Sequence, residues 1–211
     1  KVIQIYDTAT LTKISEIAGS SMSDTTWSPD GSKLYVAKFK SSVQAELITF
    51  DVTTGSNLGS MTFGKSGQSW QLNTLDDGRI LANGVSSHAW VLDPNASTAR
   101  VIYDGATATA LADARDGTIW TAVGSTLRHL DVETGTVLAT YTVGGGFPTS
   151  LVLSPDGRWL YTVTSTNLIV IDTQDGSERV RIPLITSSGA AVTLSADGRT
   201  VFVNSGTGSA T

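Results

Sequence analysis

Ten aspartates stand at repeated positions, and they are the first residues in this chain to test for chemistry. Asp7, Asp51, Asp93, Asp131 and Asp172 each close an apolar run, while Asp30, Asp77, Asp116, Asp156 and Asp197 each precede a glycine. Carboxylates in pairs can act as general acid and base, and a glycosidase needs two of them flanking its substrate. The spacing argues otherwise. The glycines Gly31, Gly78, Gly117, Gly157 and Gly198 follow one another at 47, 39, 40 and 41 residues, and the run-ending aspartates at 44, 42, 38 and 41. A group that a reaction needs once is not supplied five times at a fixed period. In three units a glycine (Gly55, Gly135, Gly176) follows the run-ending aspartate by four residues. That is the pattern of a turn held by an Asx side chain with glycine at a positive φ.

The remaining reactive side chains are few. Cysteine is absent and there are two histidines, His88 and His129, so thiolate chemistry is excluded and a metal centre is poorly supplied. His129 lies between Arg128 and Leu130 in an apolar run, where a hydrogen-bonded structural histidine is expected. No Gly-x-Ser-x-Gly elbow or phosphate-binding loop occurs, and Gly144-Gly145-Gly146 lacks the Lys-Ser/Thr of such a loop. The innermost strands offer Asp24 at a strand entrance and Asp113 near a strand end and are otherwise uncharged, which argues against a glycosidase funnel. Asn95-Ala96-Ser97 is a glycosylation sequon. No catalytic set, cofactor or metal is expected.

The elements that carry these residues are short strands. Each unit near 40 residues reads as four of them, labelled A to D from the innermost outward, which is the signature of a propeller blade. Strand A precedes the Asp-Gly turn and strand B follows it, as in Leu34–Ala37 and Leu160–Val163. Strand C is the run before the second aspartate, as in Leu168–Ile171, and strand D is a polar-alternating edge such as Val137–Val143. Helical periodicity is nowhere sustained. The expected fold is all-β, a single β-propeller domain over residues 1–211. The chain enters at a strand C and finishes beyond a strand B, so five blades with the ring closed by N- and C-terminal strands is the economical count. Part of a seven-bladed ring is the alternative.

The run from Val143 through Phe147-Pro-Thr-Ser-Leu-Val-Leu-Ser-Pro-Asp-Gly-Arg-Trp-Leu-Tyr-Thr-Val163 to Leu168-Ile-Val-Ile-Asp172 resembles the YVTN-type β-propeller repeat. Leu34-Tyr-Val-Ala37 and Val201-Phe-Val-Asn204 match its strand B, and weaker forms extend over all five units. The resemblance implies an extracellular or periplasmic protein, usually of seven blades. Its relatives include lactonase-like enzymes, surface-layer modules and supports for redox partners. The motif residues build the blades and transfer no active site.

In such blades the A-B and C-D turns share one face, and the B-C and D-A loops share the other, which faces the channel mouth. Binding is expected on the second face. Its longest loop is Lys38–Glu46, with Gly64–Trp70, Gly84–Trp90 and Gly144–Pro148 beside it. Lys38, Lys40, Gln68, Trp70 and His88 are the candidate ligand-binding residues there. With 14 basic against 19 acidic residues the net charge is -5, which speaks against nucleic acid as a partner. No apolar run is long enough for a membrane span. The expected function is a non-catalytic binding or interaction scaffold whose loop face takes a protein, glycan or small ligand. The alternatives are a lactonase-like hydrolase that uses His88 with Lys38 or Lys40, and a structural segment of a larger surface or redox assembly.

Overall fold

Asp-Gly turns and β-branched runs alternate along the chain, and each such run forms a strand. The computed structural model describes residues 2–41, 44–64, 70–84, 88–104, 108–184 and 190–204. It divides into two compact units, Lys1–Gly105 and Ala106–Thr211. The first holds β1 (Val2–Tyr6), β2 (Lys13–Ala18), β3 (Met22–Trp27), β4 (Lys33–Ser41), β5 (Gln44–Asp51), β6 (Asn57–Phe63), β7 (Trp70–Thr74), β8 (Ile80–Gly84), β9 (His88–Asp93) and β10 (Thr98–Asp104). The second holds β11 (Ala108–Asp113), β12 (Thr118–Val123), β13 (Thr126–Asp131), β14 (Val137–Thr142), β15 (Ser150–Leu153), β16 (Trp159–Val163), β17 (Asn167–Asp172), β18 (Glu178–Pro183), β19 (Ala191–Leu194) and β20 (Val201–Asn204). No helix occurs among the described residues.

β3–β6, β7–β10, β11–β14 and β15–β18 are four-stranded antiparallel sheets in sequence order, the expected A-B-C-D blades. β1–β2 and β19–β20 are two-stranded sheets built from a C-D and an A-B pair respectively. Burial follows strand position. Every residue of β8 is buried, and so is all of β12 after Thr118, whereas β18 is exposed throughout. The reason is that apolar surface is hidden between sheets. In the first unit Tyr35, Leu47 and Phe63 of one blade pack with Leu72, Ile80 and Leu92 of the next. In the second unit Trp120, Leu127 and Val143 pack with Leu151, Leu160 and Ile169. Each such burial of a large side chain is worth about 1.5–3 kcal/mol.

Polar bonds fix the innermost strands against one another. Thr74 donates to the carbonyl of Trp27 at 2.6 Å and lies 2.9 Å from the Thr26 hydroxyl. Asp24 accepts the backbone N–H of Leu72 on the next innermost strand at 2.8 Å, whereas Asp113 accepts that of Arg115 in its own turn at 2.9 Å. Both innermost carboxylates therefore have a structural partner.

The turns are built by the aspartates as expected. In three A-B turns Ser28, Ser154 and Ser195 donate to the carboxylate two residues on, at 2.6, 2.5 and 2.6 Å, and accept the N–H of the residue five on. The Ser28 bond, with those from Ser32, lowers the Asp30 pKa to about 2. In the C-D turns, Asp7, Asp51 and Asp131 each accept the backbone N–H and the hydroxyl of a threonine three residues on. The residue four on has positive φ in every C-D turn. Gly55, Gly135 and Gly176 supply it in three, but Leu11 (φ 55°) and Ser97 (φ 53°) occupy it in the others. The turn geometry thus outlasts the glycine, at a conformational cost of about 1–2 kcal/mol for each L residue.

Asp172 does more than hold its own turn. Its carboxylate is 1% exposed, takes Arg158 Nε at 3.0 Å and Arg158 Nη2 at 2.8 Å, and takes Arg179 Nη2 at 3.1 Å. Because Arg158 belongs to the A-B turn, this fork ties the two turns of one blade together. The Arg158 bond is the main reason the Asp172 pKa falls to about 2 against an ordinary 3.8. A carboxylate whose folded pKa is depressed stabilises the fold above its unfolded pKa, and that share is lost as pH falls through the folded value. Thermal melts of Asp172→Asn should therefore be less stable than wild type at pH 6 and flatter between about pH 4 and about pH 2. Parallel melting curves for the two proteins over that window would contradict the assignment.

Candidate functional site

β4 and β5 form the longest hairpin of the first unit, and it carries two of the candidate residues. Residues 38–41 and 44–46 are not an irregular loop: β4 runs to Ser41 and β5 starts at Gln44, with Lys38 opposite Glu46 and Phe39 opposite Ala45. This extra pairing accounts for the 47-residue spacing. The register slips between Phe39 and Ser41, which leaves Lys40 at a bulge. Lys40 Nζ donates to Thr62 Oγ1 at 2.8 Å and lies 3.8 Å from Glu46 Oε1, which also accepts from Ser60 at 3.0 Å. Lys38 is half-buried. Phe39 is on the other side of the ribbon with Ala45, which pairs with Phe63. Ala45 and Phe63 are buried in the interblade core, so Phe39, 40% exposed, carries that apolar face out past its cover.

The other candidates sit on the following blade. His88 opens β9, half-buried and opposite Asp104. Trp70 opens β7 opposite Gly84. Gln68 lies outside the described residues. The structure thus brings Lys38 and Lys40 together around Glu46, while His88 is held by a separate sheet.

A second constellation is built on the turns of the second unit. A cavity of about 280 Å³ lies between the sheet β11–β14 and the turns of the next blade, lined by Asp116, Trp120, His129, Pro155, Asp156 and Thr173, among others. Thr118 Oγ1 donates to Asp116 Oδ1 at 2.5 Å and lies 2.6 Å from His129 Nε2. The hydroxyl has one proton, and a carboxylate is its natural acceptor. Nε2 therefore carries the hydrogen that Thr118 accepts, which leaves Nδ1 as the imidazole's acceptor. His129 stacks on Trp120 with ring centroids 4.6 Å apart and planes 5° apart, and the Tyr141 ring stacks on Trp120 with centroids 5.6 Å apart and planes 20° apart. Burial lowers the His129 pKa, opposed by Asp116, so the ring is neutral at pH 7. Asp156, held by Ser154, is pushed below its ordinary value and is charged.

The expectation of a hydrogen-bonded blade histidine at 129 is met. The cavity around it is an addition, on the face where only structural turns were expected. The signal lies in the repeat. The strand-B and strand-C residues that pair here are Tyr35 with Thr49, Leu81 with Val91 and Tyr161 with Val170 in the other full blades, but Trp120 with His129 in this one. Among the described residues no group of three or more His, Cys, Asp or Glu is placed to hold a metal.

No protein-family model matches the sequence, and no curated protein matches it. Solved structures do match. A chain of Kuenenia stuttgartiensis hydrazine synthase is 19% identical with a TM-score of 0.74, over 87% of this chain and 55% of that one. The β-propeller domain of Cps50 (Swd1) from Myceliophteria thermophila is 16% identical with a TM-score of 0.74, over 96% of this chain and 72% of that one. This chain thus spans little more than half the length of the first. At these identities the likeness is one of fold. The chain is an all-β protein with the four-stranded antiparallel blades of a β-propeller.

Proposed function

We propose that this chain is a non-catalytic propeller scaffold of the YVTN type, extracellular or periplasmic, that holds a protein, glycan or small ligand on its B-C/D-A loop face. Lys38, Lys40, Gln68, Trp70 and His88 are the contacts of that reading. The observation that supports it best is the β4–β5 hairpin. It prolongs an interblade apolar face with the exposed ring of Phe39 and sets two lysines beside it. An aromatic anchor ringed by polar groups is the usual core of a binding patch. The YVTN-like strand motifs and Ser-Pro-Asp-Gly turns support the family reading and, through it, the compartment.

The test is a screen of the chain against arrayed glycans and peptides, with hydrogen exchange mapping whatever binds. Protection is expected at 38–41, 44–46 and 88. The double change Phe39→Ser, Lys40→Ala should weaken binding by about tenfold or more, the scale of one lost anchor. Protection confined to the A-B and C-D turns would overturn the choice of face. Turnover on a lactone or glycoside panel, abolished by His88→Ala, would overturn the non-catalytic reading.

A further inference from the structure

We infer that the turn-face cavity between β11–β14 and the following blade is a second binding site, one that takes a guanidinium group. The argument begins with what the repeat would place there. The strand-C position two residues before the closing aspartate is Ile5, Thr49, Val91 and Val170 in four units and His129 in one. A blade packs well with valine at this point. The exception brings with it a hydroxyl relay to a carboxylate, a stacked tryptophan and a cavity of about 280 Å³, room for a side-chain head group.

The lining chemistry selects the ligand. Asp116 uses Oδ1 for the N–H and hydroxyl of Thr118, and Asp156 uses Oδ1 for Ser154 and the N–H of Arg158. Among the described residues no hydrogen bond engages Oδ2 of either. Each of these lining aspartates thus keeps one carboxylate oxygen in reserve, and His129 adds a neutral ring with an acceptor nitrogen. The Arg158 fork beside Asp156 is already engaged, since it bonds Asp172 through Nε and Nη2. Two carboxylates in one lining match a planar cation with several N–H donors, and such a cation also stacks on an imidazole face. A primary ammonium, a point charge with a strong hydration shell, uses that geometry less well. This site is built from the turns of the second unit and does not depend on the Lys38–Phe39–Lys40 hairpin of the first.

The probe is N-acetyl-L-argininamide, titrated into the intact chain and followed by amide shifts in NMR spectra. Saturable shifts are expected at 114–118, 129 and 154–157, with a dissociation constant on the order of millimolar for one small head group. The citrulline analogue, isosteric and uncharged, should not saturate. Asp116→Asn and Asp156→Asn keep the turn acceptors and should each weaken binding by about tenfold. His129→Val installs the residue that the repeat uses elsewhere, so the fold should hold while binding falls. Lys40→Ala, in the first unit, should change nothing. A peptide with one internal arginine that binds more tightly than the amide marks a protein as the source, and equal affinities mark a free small cation. Either keeps the site. Equal binding of the citrulline analogue or of n-butylammonium, shifts that map elsewhere, or unchanged affinity in the folded His129→Val protein would overturn it.

Discussion

Trp120→Ala should lower stability by about 3–5 kcal/mol, the range for removing a large buried aromatic side chain. Trp120 is 1% exposed and belongs to both faces of the problem: it fills the core between two blades of the second unit and supports the His129 and Tyr141 rings. Alanine would leave a void that the two blades fill only in part and would strip the stacking partner from both rings. At about 2–4 °C per kcal/mol for a chain of this size, the midpoint should drop by roughly 6–20 °C. Trp120→Phe, which keeps a ring, should recover a large part of the loss. A melting curve for Trp120→Ala that overlays the wild-type curve would show that the side chain is not packed as described.

The second large effect is expected at Gly176. Two penalties meet there: φ is +69°, and a Cβ would lie 1.8 Å from Cε1 of Tyr141. Gly157 isolates the first penalty, since its φ is +70° and nothing lies within 4 Å of a built Cβ. Gly157→Ala should therefore cost about 1–2 kcal/mol, the left-handed penalty alone. Gly176→Ala adds the displacement of a ring that rests on Trp120, bringing the loss to about 2–4 kcal/mol. Urea titrations of both variants, with Tyr141→Ala as background, separate the terms. In that background the cost of Gly176→Ala should shrink to that of Gly157→Ala. Equal losses for the two glycines in the wild-type background would rule out the overlap with Tyr141.

The glycines and aspartates that carry these predictions were legible in the sequence because turn chemistry is local. An Asp-Gly pair between two β-branched runs has few conformations open to it, and its recurrence at a period near 40 reveals the blade. Leu11 and Ser97 show the limit of that legibility. Their turns adopt the same positive φ with no glycine to signal it, because the Asx acceptor and the flanking ladder impose the geometry. The segment 38–46 shows another limit. Lys-Phe-Lys-Ser-Ser-Val-Gln-Ala-Glu reads as a polar loop, yet 38–41 pair with 44–46 as an extension of the hairpin, and pairing depends on the opposite strand more than on composition. The turn-face cavity escaped for a third reason. Asp116 and Asp156 are fully explained as turn residues, and only the neighbouring blade, aligned on Val91 and Val170, shows that His129 breaks a pattern.

The wholly exposed β18 is the outermost strand of its sheet, and its free edge offers backbone groups to any extended chain that comes near. Its sequence makes such growth unfavourable. Arg181 is held by Glu178 and by the carbonyl of Gly144, Arg179 reaches Asp172 and Asp175, and Pro183 ends the strand without an N–H. Fixed charges and a proline along an open border oppose edge-to-edge aggregation, so the ion pairs that order this strand also help keep one molecule from templating the next.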